Sequence, residues 1–134
     1  MTEENITANI KEELEAAEKT FLESDLLFKN GFFKGAVSRL YYSVLYHIRA
    51  LLLTKGLEPR SHEGALRLFS LHFVKEEIFP TKAAHLFSKL MKYREEADYN
   101  PAYTFSKEDF IGLRTDANDL SGQIRAHLKE KGCL

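Results

Sequence analysis

At 134 residues, with 44% hydrophobic and 29% charged side chains, the chain fits one globular domain over residues 1–134 that buries a core of its own. A net charge near −1 excludes a protein that grips nucleic acid by bulk positive charge, while leaving a local basic patch open. The one cysteine, Cys133, excludes a disulfide framework and a cysteine metal site; with an acidic start that lacks the apolar core of a secretory signal, it points to the cytoplasm.

Ile10, Leu14, Ala17, Phe21 and Phe28 recur at three- and four-residue steps, which predicts a one-sided helix from about Asn5 to Lys29, with Ser24 at the missing step. Asn30-Gly31 tolerates the left-handed conformation that ends helices, and the next apolar run begins almost at once. The first two helices should therefore form a tight antiparallel hairpin.

Residues 35–56 are the most apolar stretch. Val37, Leu40, Tyr41, Val44, Ile48 and Leu51 share one helical face, and further apolar residues spread around the sides, so this is the helix the others pack against. Arg39, Ser43 and His47 form a rough polar stripe, with Arg49 on a separate flank beside Tyr42. Two arginines and a histidine in so short a run exclude a membrane span.

Gly56 closes that helix and Pro59 keeps the chain from resuming it. Ser61 is the N-cap of a third helix through Ala65, Leu66, Phe69 and Phe73, with Gly64 weakening its first turn. Pro80-Thr81 opens a fourth, with Ala83, Leu86, Phe87, Leu90 and Tyr93 inward, ending near Asp98. Pro101 disfavours helix at Asn100, leaving residues 99–104 as a loop. Ser106 and Asp109 resemble a capping box, flanked by Phe105 and Phe110 as a hydrophobic staple, and the stripe Leu113, Ala117, Leu120, Ile124, Leu128 carries the fifth helix to Gly132. No segment alternates like a half-buried strand. The expected architecture is all-α, a five-helix up-and-down bundle.

No glutamate has a histidine three residues later and no two histidines are four apart, so no metal site is expected, and no nucleophile elbow or phosphate-binding glycine loop occurs. What remains is a set of polar groups beside apolar surface: Tyr42, Tyr46, His47, Arg49, then Arg60-Ser61-His62, then Arg94 through Tyr99. Arg94 and Asp98, four apart, read equally as an ordinary helical ion pair or as part of a site. His47 reads as a hydrogen-bonded core or interface histidine. His62, in a loop or first helical turn, is the better functional candidate.

Three of these stretches resemble the HEPN domain family. The central run with Tyr41-Tyr42, Tyr46 and Arg49-Ala-Leu-Leu is similar to the family's tyrosine-rich helix; Ser61-His62-Glu63-Gly64 is similar to its Ser/Thr-His-x-Gly turn; and Arg94-x-x-Ala-Asp98-Tyr99 is similar to its Arg-x-x-Ala-Asp-Tyr signature. The resemblance implies a five-helix domain that forms homodimers and binds a nucleotide, RNA or a minimal nucleotidyltransferase partner, as in toxin–antitoxin modules, with no cofactor and no membrane. A site carried by the resemblance would be built from His62, Arg94, Asp98 and Tyr99, with Tyr46 and Arg49 in support.

Many members are also metal-independent ribonucleases that place an Arg and, four to six residues on, a His at a dimer interface. Here only Arg67 and His72 have that spacing, Leu68 follows the arginine, and a straight helix would leave the two side chains about 140° apart. The resemblance therefore implies a binding domain first, an RNA endonuclease second, and a pure protein-interaction module third.

Overall fold

In a computed structural model, which describes residues 2–134, five α-helices form: α1 (Glu3–Lys29), α2 (Phe33–Leu53), α3 (His62–Phe69), α4 (Thr81–Tyr99) and α5 (Lys107–Glu130). Strands are absent among the described residues, and no helix there is long and apolar enough to cross a membrane. α1 begins earlier than its apolar spacing suggests, because Thr2 caps it by accepting the Asn5 amide at 3.1 Å. Gly31, at φ +83°, supplies the left-handed turn into α2.

α2 packs against each of the other four helices. Its six expected core residues, Val37 through Leu51, are all no more than 1% exposed. Against α1 the fit is closed by polar groups as well as apolar ones. Ser24 donates to the Ala36 carbonyl at 2.7 Å, and Ser43 donates to the Ala17 carbonyl at 2.7 Å. Each hydroxyl is buried at a helix–helix seam, so its hydrogen bond avoids the cost of an unpaired polar atom there.

A second buried network pins α5. Arg125 donates through Nε to His47 Nε2 at 3.2 Å and through Nη2 to the Leu14 carbonyl at 3.2 Å. Since a guanidinium can only donate, His47 Nε2 must accept, and its proton sits on Nδ1, donated to the Ser43 carbonyl at 2.9 Å. His47 is thus a neutral core histidine tying α2 to α1 and α5. Burial first, and then the Arg125 charge, hold its pKa down at about 4, against a hydrogen bond to Ser43 that acts the other way.

The third helix departs from expectation. α3 lasts eight residues and runs on into a single π-helical turn, Ser70–Val74, where Lys75 N–H reaches back to the Ser70 carbonyl at 2.8 Å. Phe69 and Phe73 stay buried through the change and pack with Phe79 in an aromatic knot capped by His127 of α5. That knot, rather than a continued α-helix, fixes the path to α4.

Candidate functional site

Some of the polar groups singled out in the sequence, His62, Arg94, Asp98 and Tyr42, lie where α2, the start of α3 and the end of α4 meet, whereas His47 belongs to the core network with Arg125. Ser61 caps α3, accepting the Gly64 amide at 2.9 Å, and this sets His62 in the first turn. Gly64 is part of the device: a Cβ there would stand 2.9 Å from Ser61 Oγ. From α2, Tyr41 points its hydroxyl at His62 Nδ1, 2.6 Å away. Tyr41 is fully buried, and burial pushes its pKa up, only partly offset by the Arg94 cation. The hydroxyl therefore keeps its proton, and it has no other hydrogen-bond partner among the described residues. It donates to Nδ1, which leaves His62 to carry its own proton on Nε2.

Arg94 enters from α4. Its guanidinium lies 5.3 Å from the Tyr41 ring centre and 5.9 Å from that of Tyr42, and Nη1 meets Asp98 at 3.4 Å. The side chain is only 8% exposed and its Nε has no hydrogen-bond partner. Two ring faces thus join Asp98 in compensating this cation. Tyr42, half-buried, links the parts. It lies 6.1 Å from the His62 ring and 6.2 Å from Tyr46, with the Arg39 guanidinium 5.7 Å away.

His62, Arg94 and Asp98 are thus gathered around the Tyr41–Tyr42 pair, and Tyr46 adjoins it. Arg49 lies further along α2, where it pairs with Glu13 of α1 at 3.1 Å and lines a groove together with His62. Tyr99 is 76% exposed, and no side-chain hydrogen bond or ring contact involves it among the described residues. Two members escaped sequence reasoning. Tyr41 read as a core position within the tyrosine-rich run and not as a site residue, and its hydroxyl contact with His62 spans 21 residues, so no local spacing announces it. Arg39 read as part of a rough polar stripe with Ser43 and His47.

Arg67 and His72 are not assembled into a pair. Arg67 is exposed on α3, His72 lies within the π-helical turn, and no hydrogen bond joins their side chains among the described residues. The uniform helix assumed for their angular separation does not persist past Phe69, since the π-helical turn changes the step.

The arrangement offers a planar or anionic group ring faces and an imidazole, with the Arg39 guanidinium beside Tyr42. Similarity to known proteins bears on the same stretches. A family model for the HEPN domain matches residues 10–121. A Methanocaldococcus jannaschii protein is 35% identical over 121 residues, covering 90% of this chain and 82% of its own length. A second from that organism is 31% identical over 129 residues, covering 93% and 96%; both are named putative toxins. A UPF0332 protein of Thermotoga maritima is 33% identical over 87 residues, covering 65% of this chain and 66% of its own. With its tyrosine-rich α2, its capped His62 turn and its Arg94–Asp98 helix end all inside the matched span, the chain belongs to the HEPN domain family.

Proposed function

We propose that this chain is a toxin-like HEPN module that binds a nucleotide or an RNA segment at the α2–α3–α4 junction, without strong catalysis of its own. It would act as a homodimer and with a minimal nucleotidyltransferase partner. The relatives with toxin in their names support the module, and the junction supports the binding role. The observation that carries the reading is the Tyr41–His62 hydrogen bond of 2.6 Å with Arg94 packed over both tyrosine rings. It holds an imidazole N–H and the half-buried faces of Tyr42 and Tyr46 in fixed relation, the groups that stack on a base and donate to an anion. Arg94 and Asp98 act as positioning residues, because Arg94 is too buried to meet a ligand directly.

The test is fluorescence titration of the purified protein with mononucleotides and short single-stranded RNA, alongside thermal melts. Tyr42→Ala and His62→Ala should each weaken binding at least tenfold, about 1.4 kcal/mol, with the fold retained. Equal affinities in wild type and variants reject the site. A melting temperature that collapses in Arg94→Ala, with Asp98→Asn milder, assigns that pair to holding the tyrosines. RNA cleavage that survives extensive purification and vanishes in a single His→Ala variant would replace this reading with the endonuclease.

A further inference from the structure

Beside His62 lies a groove of about 220 Å³. Leu45, Pro59 and Ala65 make its apolar floor, and Arg49, Arg60 and His62 its polar wall. We propose that this groove is a phosphate subsite, distinct from the ring cluster, in which Arg60 and Arg49 bind the anion and His62 completes it with its Nε2 proton. The proposal rests on the junction being a ligand site but has its own residues and its own test.

Three features of the structure carry it. Tyr42, Tyr46 and Arg49 stand at i, i+4 and i+7 on α2, so they follow one face of the helix, about 10.5 Å from the first to the last. The aromatic surface and the groove are therefore one continuous track rather than two unrelated patches. His62 belongs to both ends: it lies 6.1 Å from the Tyr42 ring and also lines the groove. With Nδ1 occupied by Tyr41, its donor is the opposite nitrogen, and an imidazole with one fixed acceptor and one fixed donor is oriented without a ligand's help. Finally, Arg60 is exposed and takes part in no ion pair among the described residues, while Arg49 gives one nitrogen to Glu13 at 3.1 Å and keeps its others. A forked guanidinium matches phosphate oxygens in a bidentate way. The groove holds no aromatic wall, so it selects the charged part of a ligand and leaves the planar part to Tyr42 and Tyr46.

The phosphate could belong to a free mononucleotide or to an RNA backbone, and the experiment separates the two. Calorimetry on the full chain would compare adenosine, adenosine 5′-monophosphate, inorganic pyrophosphate, and a single-stranded tri-adenylate with and without a 5′-phosphate, in wild type, Arg60→Gln and Arg49→Gln. In wild type the monophosphate should bind at least tenfold tighter than adenosine. Arg60→Gln should erase that advantage, leave adenosine binding unchanged, and leave the melting temperature unchanged, since the side chain is outside the core. A 5′-phosphate that strengthens tri-adenylate as much as it strengthens adenosine identifies a terminal phosphate; a tri-adenylate that gains nothing from it but still depends on Arg60 identifies a backbone one. Adenosine binding with no gain from phosphate overturns the subsite and spares the ring site. Pyrophosphate binding that depends on Arg60, with no adenosine binding, keeps the subsite and overturns the ring site. No binding of any probe overturns both.

Discussion

At the scale of single residues, two histidines sit in contrasting environments. His62 is half-exposed and poised between a tyrosine donor and a groove, whereas His47 is 3% exposed and locked as a neutral acceptor of Arg125. That lock makes stability depend on pH. The His47 pKa falls from 6.5 to about 4 on folding, chiefly through burial, so between those values the unfolded chain binds a proton that the folded one refuses. Its contribution is complete above about pH 6.5, is lost as pH falls towards 4, and is flat below; the full swing is at most about 3 kcal/mol. His127, also held below its usual value by burial, adds to the wild-type slope, so the informative quantity is the difference between proteins. Urea denaturation at pH 7 and at pH 4.5 should show a smaller pH loss in His47→Gln than in wild type, and identical losses would contradict the assignment. The same contrast explains what could be read of the site from the chain alone. His62, Arg94 and Asp98 stood out because they interrupt apolar periodicity. Tyr41 did not, since a tyrosine on the core face looks like any other apolar residue until its hydroxyl finds a partner in another helix.

At the scale of elements, the helices were readable wherever periodicity and end chemistry agreed. Ser106 caps α5 by accepting the Asp109 amide at 3.1 Å, Gly132 ends it at φ +76°, and Ser61 caps α3, all as their residue types suggest. The π-helical turn at Ser70–Val74 was not readable, because it arises from packing Phe73 against Phe79 and His127, two contacts made by later segments. Gly64 shows the limit of propensity in another way. A glycine in a helix costs about 1 kcal/mol relative to alanine, so it looks like a weak point. Yet a Cβ at that position meets Ser61 Oγ at 2.9 Å, and moving the hydroxyl aside gives up the cap. Gly64→Ala should therefore bring no net gain, and Ser61→Ala should cost about 1 kcal/mol. In the Ser61→Ala background, Gly64→Ala should become stabilising. The double-mutant cycle in chemical denaturation reads this as a non-zero coupling between the two positions; additive effects would show that the glycine is there for some reason other than the cap.

At the scale of the whole molecule, the question is what covers the apolar surface left at the hairpin end of α1. Leu22, Leu26 and Phe32 are 58%, 62% and 63% exposed, and the two leucines are four apart on one face. α5 extends the patch. Phe28 of α1 stacks on Phe110 of α5 with ring centres 4.5 Å apart, and Asp25 of α1 accepts two hydrogen bonds from Arg114 at 2.6 and 3.0 Å. The start of α5 therefore lies against the end of α1, and Ile111, 47% exposed and three residues before Arg114, adds to the apolar area. A stable dimer buries about 800 Å² per partner around a desolvated centre with a polar rim. Three large aliphatic side chains and a phenylalanine, rimmed by an exposed ion pair, have the composition of such a centre, and a two-fold axis through the patch would bury it against itself. Light scattering at tens of micromolar should give twice the 15.4 kDa chain mass. Leu22→Lys with Leu26→Lys should give the single-chain mass, because four like charges would face one another across the axis, while the melting temperature at low concentration stays close to that of wild type. A wild-type protein already at 15.4 kDa counts against the dimer. A double variant that stays dimeric moves the interface off this face, and the surface around Tyr99 is then the next to probe by the same charge substitution.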